Sequence, residues 1–173
     1  PDANATLLST VNVTLEPCSF HGRTPSCAEA LIKAGVSRVV AAREDPDSRN
    51  AGKGFAKLRD AGIVVDLLPS ESADQLVRGH LKRYCEQKPF IRLKLAMTLD
   101  GKTALRNGNS KWITSEEART DVQKLRAESS AIVTGVQTVI DDDPRLQVRE
   151  ILPEIKHRAE ALSVERPVYI LDS

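Results

Sequence analysis

Aromatic side chains are scarce in this sequence, with three Phe, two Tyr and one Trp among 173 residues, and 25 basic residues nearly cancel 24 acidic ones. Without stacking rings or an excess of one charge there is little to hold a nucleic acid. A formal net charge of +1 gives no long-range attraction to an anionic surface either. No apolar run approaches the ~20 residues of a membrane-spanning helix, and no early stretch has the basic, apolar and small-residue order of a signal peptide. The expectation is a cytoplasmic protein with neither nucleic acid nor membrane as partner. Cysteine is equally sparse. Three residues, an odd number at low density, argue against a disulfide scaffold and leave reduced thiols or a metal site. The G-x-G-x-x-G dinucleotide fingerprint is missing, so a standard Rossmann crevice has no support. With 40% hydrophobic and 28% charged residues, the chain has the composition of a folded globular protein.

Strand and helix signals alternate along the chain. Residues 10–16 alternate apolar and polar side chains, predicting a strand that delivers the chain to Pro17-Cys18. Ser26 reads as the N-cap of a helix through Ala34, stopped by Gly35, so Cys27 falls in its first turn, where free amides favour a thiolate. Residues 38–42 read as a buried strand and 63–68 as another strand, with a helix over 55–61 between them, which implies a parallel sheet. Ser72 with Gln75 resembles a capping box for a helix to about Cys85. Polar Glu86-Gln87-Lys88-Pro89 then suggests a domain boundary, giving domains over 1–86 and 87–173. In the second, residues 90–97 alternate as a strand with Lys94 on one face. Thr114 with Glu117 opens a helix to about Glu128, and 131–135 reads as a strand followed by a short helix ending at Asp143-Pro144. Residues 153–163 look helical, and 168–172 form a last strand.

Cys18 and Cys27, at a strand end and a helix start, can share one tetrahedral metal. Their C-x8-C spacing is wider than that of zinc ribbons, and taken alone it favours two structural thiols over a metal site. His21, three residues after Cys18, is a reachable further ligand, though loop packing or substrate contact accounts for it as well. Cys85 has no sequence partner and reads as an inert buried thiol. His80 and His157 read as surface or structural residues.

Glu16-Pro17-Cys18, then Gly22-Arg23-Thr24-Pro25 and Cys27, closely resemble the PC-x3-G-x-TP-x-C element of the bifunctional deaminase–reductase family of bacterial riboflavin biosynthesis, the RibD family. The resemblance continues through Asp45-Pro46, Gly52-Lys53-Gly54, the run from Leu93 to Lys102, Ser110-Lys111-Trp112-Ile113-Thr114-Ser115 and Asp142-Asp143-Pro144-Arg145-Leu146. It implies an α/β chain: the later part of a cytidine-deaminase-like three-layer domain over 1–86, then the first part of a dihydrofolate-reductase-like domain over 87–173, both incomplete here. It also implies a homo-oligomer acting on a small pyrimidine ribosyl phosphate, with Zn2+ and NADPH as cofactors. Zinc would activate the water that deaminates the ring, and reduction would then convert ribosyl to ribityl.

Carried over residue by residue, the resemblance places zinc on Cys18 and Cys27. The family's His-Ala-Glu element, which adds the third ligand and the proton shuttle, does not occur in residues 1–17. NADP contacts fall on Ala96, Trp112, Thr138, Asp142 and Ser173. Substrate contacts fall on Ser110, Arg126, Leu146 and Arg149, and Lys94 matches a lysine near the reacting sugar, a candidate catalytic group. Simpler readings stand beside these. Trp112 alone suits a core, Arg126 a helix C-terminus, Lys94 a snorkelling strand edge, and Asp141-Asp142-Asp143 a solvated turn rather than a Mg2+ site. A reductase carrying a degenerate deaminase scaffold, and a non-catalytic zinc- or nucleotide-binding remnant, are the competing readings. The family's later cofactor loop is expected beyond Ser173.

Overall fold

Strand β1 (Thr10–Val13) pairs with β2 (Arg38–Ala41), and β2 with β3 (Val64–Leu67), all parallel and in the order β1-β2-β3. Parallel neighbours need crossovers, and helices α1 (Cys27–Ala34) and α2 (Lys53–Asp60) supply them. The computed structural model that shows this describes residues 9–149 and 162–172. The chain forms two units, Pro1–Leu93 and Lys94–Ser173.

The first unit's core lies between the sheet and its two helices. Ala28, Val39 and Leu58 are wholly buried, Val36 and Ile63 nearly so, and Val11, Val13, Leu31, Ile32 and Val65 pack around them. The register sets Val11, Val39 and Val65 side by side, so one row of β-branched side chains faces the helices. Ser26 caps α1 by accepting the Glu29 N–H, and Gly35 ends it in the left-handed region (φ 69°), as the sequence predicts.

Beyond β3 the expected single helix is two, α3 (Glu71–Leu76) and α4 (Arg78–Glu86), interrupted at Val77. Its cap is Ser70, which accepts the Ala73 N–H, and not Ser72, which lies inside the first turn. Cys85 is exposed rather than buried. Residues 87–91 turn back along these helices: the Arg78 guanidinium lies 4.8 Å from the Phe90 ring centre. Pro89, Phe90 and Ile91 share a cavity of about 690 Å³ with Leu81 and Cys85. The two units divide between Leu93 and Lys94.

The second unit contains α5 (Glu116–Ala127), β4 (Ile132–Gly135), α6 (Val136–Asp142) and β5 (Val168–Leu171), with β4 and β5 parallel. Ser115 caps α5 by accepting the Ala118 N–H, one residue later than the Thr114 box predicts. Residues 90–97 keep their alternation but form no strand, because no described strand pairs with them. Ile91, Leu93, Leu95 and Met97 are consequently exposed. Of the helix expected over 153–163, only Leu162 and Ser163 fall among the described residues, and both are helical. Among those residues no helix is long and apolar enough to cross a membrane.

Candidate functional site

The loop after β1 is held from beneath by a buried carboxylate. Glu16, 4% exposed, accepts the N–H groups of Asp45, Gly52, Gly54 and Phe55 at 2.8–3.1 Å, so its charge sits against the start of α2. It is a structural anchor, as its place at a strand end suggests, not an acid or base facing a substrate. Two residues on, the Cys18 carbonyl accepts from Ser26 Oγ at 2.8 Å and from the Ala28 N–H at 3.1 Å. Both donors belong to the start of α1, the helix that carries Cys27.

These bonds bring the two cysteines together. The Cys27 backbone N–H donates to Cys18 Sγ at 3.2 Å, and both thiols are free. The expected lowering of the Cys27 pKa at a helix start does not hold in this setting. Partial desolvation first, and the adjacent Cys18 thiol second, push it up instead, because neighbouring sulfurs resist two negative charges. A divalent cation is the partner that reverses this, since a coordinating thiol ionises outright. Two sulfurs, one already stabilised by a backbone N–H, therefore fit half of a tetrahedral zinc site. Among the described residues no third His, Cys, Asp or Glu joins them, and His21 lies exposed in the loop.

Behind this loop lies a polar layer that sequence patterns do not reveal. Asn50 is wholly buried; its Oδ1 accepts the Ser19 N–H at 2.8 Å, and its Nδ2 reaches the Pro17 carbonyl and Asp45 Oδ2, each at 3.4 Å. Asp45 in turn holds His80 Nε2 at 2.8 Å, giving that histidine the structural role expected of it. The only clues in sequence are Asp45-Pro46 and the glycines around Lys53.

In the second unit, Arg126 and Arg149 converge. Gln123 on α5 is 7% exposed and accepts the Arg149 N–H at 3.0 Å, fixing residues 145–149 beside that helix. Desolvation of the half-buried Arg126, and then the charge of the exposed Arg149 nearby, lower the Arg126 pKa. Both guanidinium groups carry planar donor forks, the donor geometry that suits a phosphate or carboxylate in general. Leu146, in the same segment, has a left-handed backbone (φ 50°) and lines a cleft of about 440 Å³ with Arg145, Val148 and Leu162. Gln123 carries no signal in sequence, being a lone Gln on a helix.

The other expected contacts are more scattered. Trp112 is 71% exposed, so the core reading fails, and its ring centre lies 4.4 Å from the Arg119 guanidinium. Thr138 and Asp142 lie one turn apart on α6, both exposed. Asp141 takes the Gln137 side chain at 2.8 Å, and Asp143 ends the helix in the left-handed region. Lys94 is exposed, and Ala96 and Ser110 are half-buried. No hydrogen bond or ion pair among the described residues links these three to the arginines. Ser173 lies outside the described residues.

A family model described as the RibD C-terminal domain matches residues 89–173. The riboflavin biosynthesis protein RibD of Haemophilus influenzae is 51% identical over 170 residues, covering 95% of this chain and 45% of that protein. Its counterpart from Escherichia coli K12 is 50% identical over 169 residues, covering 94% and 45%. Among solved structures, Acinetobacter baumannii RibD matches with a TM-score of 0.77 and 46% identity over 90% of this chain and 44% of that one. A Thermotoga maritima diaminohydroxyphosphoribosylaminopyrimidine deaminase/5-amino-6-(5-phosphoribosylamino)uracil reductase matches at 0.75 and 36%, over 92% and 43%. The chain thus spans a little under half the length of the curated relatives it matches.

Proposed function

Because the chain belongs to the RibD family of riboflavin biosynthesis proteins, we propose that it is the central part of a bifunctional enzyme. One activity is zinc-dependent hydrolytic deamination of a ribosylaminopyrimidine phosphate. The other is NADPH-dependent reduction of the ribosyl group to ribityl. In this reading a cytidine-deaminase-like domain spans residues 1–86 and a dihydrofolate-reductase-like domain residues 87–173, the second in keeping with the family match that begins at residue 89. Similarity to the Acinetobacter protein over 90% of the chain, hence over both units, supports the pairing.

In the first unit, Cys18 and Cys27 would hold two of four positions around zinc, and a histidine and a proton-carrying glutamate come from chain outside these residues. Zinc, when bound, supplies the Lewis acidity that ionises water near neutral pH. The residues here set the geometry: Ser26 ties the Cys18 carbonyl to α1, and Glu16 fixes the strand end against α2.

In the second unit, Arg126 and Arg149 would grip the substrate phosphate, with Ser110 and Leu146 beside the sugar and Lys94 holding its reacting end. The exposed indole of Trp112 backed by the Arg119 cation suits a ring and a charged group of a dinucleotide, and Thr138 and Asp142 offer polar contacts from α6. NADPH, when bound, supplies the hydride. Ala96 and Ser173 complete the expected cofactor set. The reading includes a cytoplasmic location and self-association, which sedimentation of the intact polypeptide tests.

The observation that carries the proposal is the contact between Cys27 and the Cys18 sulfur, which unites residues nine apart at a strand end and a helix start. Assaying the full-length polypeptide for ammonia release and for NADPH oxidation separates the readings. Both activities support the bifunctional enzyme, and reduction of pre-deaminated substrate alone marks a degenerate deaminase.

A further inference from the structure

Cys18 lacks rigid secondary structure of its own: it follows β1 by five residues and precedes α1 by nine. Its position is nevertheless fixed from both sides by one side chain. Asn50 Oδ1 accepts the N–H of Ser19, and Asn50 Nδ2 reaches the carbonyl of Pro17, so the two ends of a single amide grip the residues on either side of Cys18. The amide orientation is set by chemistry, because the end facing Ser19 must accept while the end facing Pro17 O and Asp45 Oδ2 must donate. Asn50 is 0% exposed, so no water competes for these bonds.

The grip is itself anchored. Asp45, which accepts from Asn50, also accepts the Asp47 N–H at 3.0 Å and meets His80 Nε2 at 2.8 Å. The Asp45 N–H goes to Glu16, one residue before Pro17. The loop over 45–52 and the loop around Cys18 are therefore joined through Asn50 and Glu16 together. Glu16 faces the start of α2, whereas Asn50 faces the cysteine.

Resting on the zinc reading of Cys18 and Cys27, we infer that Asn50 is a positioning residue for the metal site, clamping the backbone on both sides of Cys18 so that its sulfur is held beside Cys27 for zinc. It touches neither metal nor substrate. Its effect passes through the direction in which Cys18 presents its sulfur, as outer-shell partners of metal ligands do.

The test uses the full-length polypeptide and zinc itself. Asn50→Asp keeps the shape and the acceptor toward Ser19 but sets a second acceptor against Pro17 O and Asp45. Asn50→Ala removes both ends without adding charge. Zinc affinity is measured by chelator competition, thermal unfolding is followed on metal-free protein, and the thiolate charge-transfer band is recorded with cobalt(II). The expected result is a zinc dissociation constant raised roughly 10- to 100-fold in both variants with an altered cobalt band, while metal-free unfolding stays cooperative at a lowered midpoint.

Wild-type zinc affinity in both variants, with weakened binding in Cys18→Ser and Cys27→Ser, would overturn the inference and leave the zinc reading intact. Wild-type affinity in the two serine variants would end the zinc reading and this inference with it. If both Asn50 variants are unfolded without metal, Asn50 serves the fold and the inference fails.

Discussion

The Glu16 carboxylate accepts the Gly54 N–H at 2.8 Å, and a Cβ built on Gly54 would lie 1.9 Å from the Pro17 carbonyl oxygen. The first turn of α2 therefore sits directly against the backbone that leads to Cys18, with no space between them for a methyl group. Gly54→Ala must push these segments apart. We expect a loss of about 1–3 kcal/mol or more in urea denaturation, together with weaker zinc retention. Wild-type stability in this variant would mean that the close approach is absent.

Glu16→Gln tests the anchor separately. Four N–H groups converge on the carboxylate, and an amide offers one oxygen and a competing donor. With hydrogen bonds to a charged acceptor contributing about 1.5–3 kcal/mol each, losing one or two predicts a drop of about 2–5 kcal/mol in unfolding free energy. A change below about 0.5 kcal/mol would show that the amides find other partners.

Acid should weaken the first unit through two ion pairs. Hydrogen bonds from the Arg49 guanidinium hold Asp47 well below the usual carboxylate range, and those from Arg43 lower Asp74. A carboxyl whose pKa is lower folded than unfolded contributes stability above its unfolded value, about 3.9 for Asp, and loses it as the pH falls toward the folded value. The urea midpoint of wild type should therefore fall toward that of Asp74→Asn as the pH drops from about 6 to about 3. A constant gap between the two would contradict the assignment.

For the second unit, Arg149→Ala should raise KM for the phosphorylated substrate of the reductase about 10- to 100-fold, the effect of losing one charge-assisted contact of about 1.5–3 kcal/mol. The change in kcat should be smaller. Gln123→Ala, which frees the Arg149 backbone without removing a charge, should raise KM in the same direction but less. Unchanged KM in both variants would remove the phosphate site from this pair.

Local signals read correctly from sequence where the deciding contacts are local. Ser26 and Gly35 frame α1 because a cap and a left-handed stop need only their own helix. Where two hydroxyls compete for a cap, pattern alone does not decide between them. Ser70 caps α3 in place of Ser72, and Ser115 caps α5 in place of Thr114, since the entering chain decides which hydroxyl faces the free amides. Residues 90–97 show the opposite failure: the alternation is present, but a strand exists only with a partner, and no described strand pairs with them. The cysteine pair is legible as a candidate metal pair from its place at a strand end and a helix start, whereas the two arginines are singled out only by family resemblance. Asn50, Gln123 and the Asp45–His80 contact were not legible at all, because each works across 26 to 35 residues of sequence.

The most direct test is the zinc content of the full-length polypeptide, purified under reducing conditions, for wild type, Cys18→Ser and Cys27→Ser. The account predicts about one zinc ion per wild-type chain and close to none in either variant. Equal zinc in all three would contradict it.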